Sequence, residues 1–247
     1  MPQTKPDTTQ IQMLTKRNAP TMSPAAKRVK RAVTVSRKKR YVARIPTVVR
    51  LGKQAFPKQL INTLSYTELV SVNVTAGTAG LSYAWVANGL YDPNRTGTGH
   101  QPLYFDQLIA LYNHYTVLRS RISVTIGYPT VAGVNSIVGS LYLDDDNTGK
   151  PDALQAAEMP FAKSVMWKPA VDPQPTLYAS FDAAKVFGGS PASNDNLHGT
   201  ASSNPSEVSQ FFVQTWDNTL TGATAVQLYV KLEFDVLWDE LTTIAVS

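Results

Sequence analysis

Residues 224–238, TAVQLYVKLEFDVLW, decide the fold of this chain. Val226, Leu228, Val230, Leu232, Phe234 and Val236 occupy every second position, and Gln227, Lys231, Glu233 and Asp235 stand between them. In an extended chain successive side chains point to opposite faces, so period two over this length predicts a long strand with one face buried.

The same rhythm recurs upstream. In SYTELVSVNVT (65–75) it runs through Tyr66, Val70, Val72 and Val74, and in RISVTIGY (121–128) through Ile122, Val124 and Ile126. Further strands are predicted at 81–87, 137–143, 164–169, 176–181 and 207–216, separated by loops rich in Gly, Pro, Asn and Asp. Helical windows are short: 102–113, 152–159 and 181–187. Eight strands with so little helix predict an all-β chain, a sandwich or barrel, and the jelly roll is the eight-stranded solution. The βαβ alternation of Rossmann and TIM folds is missing, and no internal repeat is present.

Composition narrows the chemistry. The hydrophobic share of 43% supports a sizeable core. There is no cysteine, which excludes disulfides, thiolate nucleophiles and cysteine-ligated zinc. No apolar run approaches the roughly 18 residues of a membrane span, so no membrane insertion is expected. The N-terminus has no apolar signal core, so secretion is not expected either. Without secretion, the acceptor patterns Asn73-Val-Thr and Asn94-Arg-Thr carry no weight.

Charge divides the chain in two. Through Lys58 there are 15 Lys and Arg against one acid, Asp7, a net charge of +14. The remaining residues hold 8 Lys and Arg against 17 Asp and Glu, a net charge of −9. Residues 1–40 lack hydrophobic periodicity and have no Trp or Phe. They cannot bury enough apolar surface to offset their ordering entropy, so a disordered basic arm is expected there. Residues 41–58 read as a basic junction, and 59–247 as the folded domain.

An acid-free polycation calls for a polyanion. Lys16, Arg17, Lys27, Arg28, Lys30, Arg31, Arg37, Lys38, Lys39, Arg40, Arg44 and Arg50 are the candidate nucleic-acid contacts. Aromatics are scarce among them, so phosphate contact without sequence readout is expected. The clusters PAAKRVK (24–30) and RKKR (37–40) also read as nuclear import signals, which implies an import receptor as partner.

No phosphate loop, G-x-S-x-G or H-E-x-x-H occurs, and Gly97-Thr-Gly99 lacks the third glycine of a dinucleotide fingerprint. His100, His114 and His198 are far apart in sequence, without an obvious carboxylate partner. An enzyme is not expected, and no cofactor is. Asp144, Asp145 and Asp146 close a predicted strand, with Asp144 and Asp146 on one side. Clustered hard oxygens are calcium ligands, and a structural calcium shared between subunits is one reading; a solvated turn is the other.

The stretch 88–122, NGLYDPNRTGTGHQPLYFDQLIALYNHYTVLRSRI, resembles capsid proteins of small viruses with circular single-stranded DNA genomes, the circovirus-like group that encodes a replication initiator. The matching elements are Gly97-Thr-Gly-His-Gln-Pro102, Phe105-Asp106-Gln107 and Tyr112-Asn113-His114-Tyr115. The resemblance implies a single jelly roll that self-assembles into an icosahedral shell, with the arm inside on single-stranded DNA, found in the virion and the host nucleus. Within the block, Asp92-Pro93 and the Gly-Thr-Gly run predict turns, and Pro102 a helix start. Leu108, Leu111 and Tyr112 at helical spacing predict a helix packed on the sandwich. Two rivals remain: a cellular chromatin-type protein with a β-sandwich, and a cupin-type enzyme, which would need clustered histidines.

Overall fold

The computed structural model describes residues 56–74, 82–129, 136–217 and 224–243. The twelve basic candidates and both import clusters lie outside the described residues.

All eight predicted strands form: β1 (Gln59–Val74), β2 (Ser82–Val86), β3 (Tyr112–Pro129), β4 (Ile137–Asp144), β5 (Lys163–Trp167), β6 (Thr176–Asp182), β7 (Gln210–Asp217) and β8 (Thr224–Leu241). They make two four-stranded sheets, β1-β8-β3-β6 (sheet 1) and β2-β7-β4-β5 (sheet 2). Every pairing is antiparallel. Two facing sheets with this interleaved order are a jelly roll.

The chain closes the sandwich with β8. It pairs with β1 from Gln59↔Asp239 to Val74↔Thr224, and with β3 on its other side. Val226, Leu228, Val230, Leu232, Phe234 and Val236 are all fully buried in the core shared with sheet 2, as the alternation predicted. Gln227 and Lys231 face water on the opposite side, where Arg121 bridges Glu233 and Asp235 and Arg119 meets Asp182.

Sheet 2 is buried on both faces along β4 and β7. Phe211 and Val213 of β7 enter the main core, while Phe212 and Trp216 point the other way into a second cluster with Tyr142 and Ala156. That cluster is roofed by a short helix in the loop after β4, here named the cover helix (Ala153–Glu158), which Asp152 caps by accepting from Gln155 N at 2.8 Å. Tyr142 stacks on Phe212 with centroids 5.4 Å apart.

The other helices are shorter than their windows. The one in 102–113 runs only Phe105–Ile109 (the block helix), and that in 181–187 runs Ala183–Val186. Tyr112 is not helical; it opens β3, pairs with Leu241 and buries its ring. Pro102 does not open the block helix either, because Tyr104 precedes it in left-handed backbone (φ 71). Buried Phe105 anchors the helix, with Leu108 and Leu111 half-buried against the core. Strand pairing at Tyr112 overrides local helical spacing. No helix among the described residues is long and apolar enough to cross a membrane.

Candidate functional site

The block 88–122 is held by two polar knots. The first forms around Tyr115, which β3 buries completely. Its hydroxyl accepts from Leu90 N (3.0 Å) and Tyr91 N (3.3 Å) and donates to Asn204 Oδ1 (3.2 Å). Asn204 also accepts from Tyr91 N and Asp92 N and donates to Asp92 O at 2.9 Å. Gly199 permits this, because a Cβ there would stand 2.1 Å from the Tyr115 ring. Burial pushes the Tyr115 phenol up to about 12, so it stays a neutral donor.

The second knot forms around Glu68 of β1. Its carboxylate accepts from Tyr66 OH (2.7 Å), Trp85 Nε1 (3.0 Å) and Asn94 Nδ2 (2.7 Å). Asn94 is fully buried; it also donates to Tyr83 OH and accepts from Thr96 N and Oγ1. A glycan therefore cannot attach to Asn94 in the folded protein. Gly97 supplies the turn (φ 71), and a Cβ on Gly99 would stand 2.5 Å from the Tyr66 hydroxyl. The predicted turns are thus present.

His100 stacks on Tyr66 with ring centroids 4.5 Å apart. Its Nδ1 lies 2.8 Å from Gln101 O and its Nε2 3.0 Å from Thr67 O. Both ring nitrogens can donate only in the imidazolium, so these carbonyls hold the His100 pKa above its ordinary value, Gln101 first and Thr67 second. Burial pushes Tyr66 and Asp92 up, and the Glu68 charge adds to both shifts. Tyr66 stays a neutral donor, and with His100 it fastens the loop to β1. That is positioning chemistry, with no activated nucleophile in it.

The acidic loop gathers as predicted, with oxygens of Asp144, Asp145 and Asp146 within 4.8 Å of one another. Asp144 and Asp146 do point to one side, but toward a cation the chain itself supplies. Lys150 Nζ lies 2.6 Å from Asp144 Oδ2 and 3.3 Å from Asp146 Oδ2. Asp144 Oδ1 accepts from Asp145 N and Asp146 N, a turn-closing pattern. The Asp144 carboxylate, and Asp146 after it, hold the Lys150 ammonium above its usual range. Hard-ion ligands are present, and a calcium would have to displace this ammonium.

Two of the three distant histidines meet. His114 and His198 have ring centroids 5.8 Å apart, brought together where Tyr115 bridges Gly199. His114 Nε2 lies 3.2 Å from Glu240 Oε2. Sequence reading missed this pairing, Lys150 and Asn204. Only Lys150 had a local signal, four residues beyond Asp146 in the same loop.

No family model and no curated protein matches the chain. Similar solved structures exist. One is of Desmodium yellow mottle tymovirus, with 11% identity, 97% of this chain and 100% of that chain covered, and a TM-score of 0.40. Another is of Mud crab tombus-like virus, with 11% identity, 92% and 96% covered, and a TM-score of 0.46. A third is of the Macrobrachium rosenbergii nodavirus particle, with 10% identity, 79% and 100% covered, and a TM-score of 0.43.

Proposed function

We propose that this chain is the coat subunit of a small icosahedral virus, whose basic N-terminal segment holds packaged single-stranded DNA. The observation that carries the reading is a conjunction: a jelly roll of sheet order β1-β8-β3-β6 and β2-β7-β4-β5, joined to a leading segment of net charge +14. Jelly rolls serve viral capsids, lectins and cupins. A polycation ahead of an acidic domain suits a shell that must neutralise enclosed phosphate. A shell of roughly 60 copies would bring on the order of 10³ cationic charges, enough for a genome segment of similar phosphate count.

The single-stranded DNA assignment rests on the resemblance of 88–122. Contact through Lys27, Arg28, Lys30, Arg31 and the 37–40 cluster is non-specific and electrostatic in this reading. The same clusters engage a nuclear import receptor of the host before assembly.

The test is expression of the full chain. Particles eluting in the void volume with nucleic acid, and visible as shells by electron microscopy, are the expected result. A monomer, or a small complex binding duplex DNA, would favour the chromatin-type reading instead. Removing residues 1–40 should leave the domain folded and lower the ratio of absorbance at 260 to 280 nm. An unchanged ratio would overturn the role of the arm.

A further inference from the structure

The chain has three histidines and no cysteine, so imidazole is the strongest ligand it can offer a borderline-soft metal ion. Two of the three, His114 and His198, are distant in sequence yet meet at one end of sheet 1. The backbone brings them there. Tyr115 N donates to Gly199 O at 3.0 Å and Gly199 N donates to Tyr115 O at 2.8 Å, which draws their neighbours His114 and His198 together. The short 3-10 turn Asp195–Leu197 ahead of His198 is anchored by buried Leu197.

Each ring has an acid near one nitrogen and leaves the other open. His114 Nε2 lies 3.2 Å from Glu240 Oε2, which reaches it from left-handed backbone (φ 58) at the end of β8. The Nδ1 of the same ring is buried and bonded to no described residue. When Nε2 donates to a carboxylate, Nδ1 of the neutral ring is a lone pair, and a buried lone pair without a donor is unexplained by the bare chain. In His198 the nitrogen nearer an acid is Nδ1, 3.9 Å from Asp195 Oδ1, which leaves Nε2 open. A carboxylate behind an imidazole fixes its tautomer and raises its basicity, the usual setting of a metal-bound histidine.

The spacing fits one shared ion. Zinc binds imidazole nitrogen at about 2.0–2.1 Å, which puts the ring centroid about 3.2 Å from the metal, so two rings on one ion have centroids no more than about 6.4 Å apart. The observed separation is 5.8 Å. Glu240 and Asp195 stand behind the rings, so the site has two protein ligands and water completes the shell. Catalytic zinc takes three protein ligands, which makes this arrangement a structural one.

We infer that His114 Nδ1 and His198 Nε2 bind one transition-metal dication of zinc type, which staples the 194–199 loop to the end of sheet 1. The loop of Asp144, Asp145 and Asp146 is a poor rival for that ion, because its oxygens are hard ligands and Lys150 already lies among them. The site lies within one copy, so it goes beyond the coat-subunit reading and does not depend on it.

Zinc binding to the full chain, untagged and first stripped with EDTA, tests the inference. Equilibrium dialysis against zinc chloride should load one zinc per chain. Excess zinc should raise the melting temperature by about 3 °C or more, because an ion that binds only the folded chain stabilises it, and calcium should not. His114→Gln and His198→Gln should each weaken binding at least about tenfold and abolish the rise, and Glu240→Gln, which alters only the support behind His114, should weaken it by about tenfold as well. His100→Gln should leave both readouts as in wild type. Cobalt, used as a coloured probe, should give visible bands of nitrogen coordination in wild type and lose them in His114→Gln. Circular dichroism shows whether each variant folds, and if a histidine variant does not, wild-type cobalt bands together with the Glu240→Gln affinity decide. No zinc on wild type overturns the inference. So does zinc binding that survives both histidine substitutions, which would move the ion to the acidic loop and leave His114 and Glu240 a plain ion pair.

Discussion

The two sheets share one core but differ on their outer faces. Sheet 1 turns Gln227, Lys231 and Arg121 to water, whereas sheet 2 lies beneath the cover helix, so Phe212 and Trp216 are buried on its far side as well. The difference teaches what period two reports. It measures wetting of one face, not strand formation itself. β8 alternates because its outer face is solvated; β7 reads Phe-Phe-Val without alternation because both of its faces are dry.

The strongest test of that contrast compares alanine substitutions on the two sheets. Phe234→Ala in the common core should cost about 3–5 kcal/mol, the usual range for a buried phenylalanine. Phe212→Ala should cost a similar amount, although it points away from that core. Tyr229→Ala, on the wet face of sheet 1, should cost less than about 1 kcal/mol. Urea unfolding of the dissociated subunit measures all three. A cost for Phe212→Ala as small as that of Tyr229→Ala would mean that the cover helix does not make a second core.

The same contrast explains what was legible beforehand. Each strand was readable because it had either clean alternation, as in β1, β3 and β8, or an apolar run between turn residues. The helix expected over 102–113 was half wrong because Leu108, Leu111 and Tyr112 satisfy helical spacing while Tyr112 gains more by pairing with β8. The knots of the central block were invisible for another reason. Tyr115 and Asn204 are 89 positions apart, and nothing local to either marks the other as its partner. The histidine pair was hidden in the same way. Conversely, the basic segment, the most legible feature of all, lies outside the described residues up to residue 55.

The wet edge of sheet 1 also carries a polar knot that the dry sheet helps to close, and Asn94 joins them: it bonds Glu68 of β1 and Tyr83 of β2. Asn94→Ala should cost about 2 kcal/mol, because it strands a partly buried carboxylate and a phenol. Asn94→Asp should cost more, since it sets a second charge against Glu68. Equal stability for Asn94→Asp and wild type at neutral pH would show that the knot is open to water.

A smaller effect separates the sheets by pH. His100 hangs on the sheet 1 side of this knot, and its raised pKa comes first from the Gln101 carbonyl, then from Thr67, with Glu68 adding to it and partial burial opposing. A folded-state pKa above the unfolded value, about 6.5, means that the contribution is complete below that pH. It is lost as pH rises through the folded-state value. The melting temperature of the dissociated subunit should therefore fall over that interval, with Glu68 as the facing acid. His100→Gln, which keeps one donor at every pH, should flatten the slope. An unchanged slope in the variant would assign the titration to other groups.

The smallest expected effect concerns calcium and the end of β4 in sheet 2. The three aspartates offer hard oxygens, but Lys150 Nζ already lies 2.6 Å from Asp144 and bridges to Asp146. A divalent ion gains less at a site where it must first expel an ammonium, and the ammonium needs no bulk calcium to be present. Chelation with EDTA at neutral pH should therefore leave the size and thermal stability of wild-type particles unchanged. Lys150→Met changes the balance. It leaves three carboxylates within 4.8 Å of one another with no cation among them, an arrangement that repels itself until a hard cation binds. Calcium should then raise the melting temperature of the variant, and EDTA should remove the gain. If wild-type particles instead swell or dissociate in EDTA, calcium displaces Lys150 in the assembled state, and the shared-ion reading of this loop is the correct one.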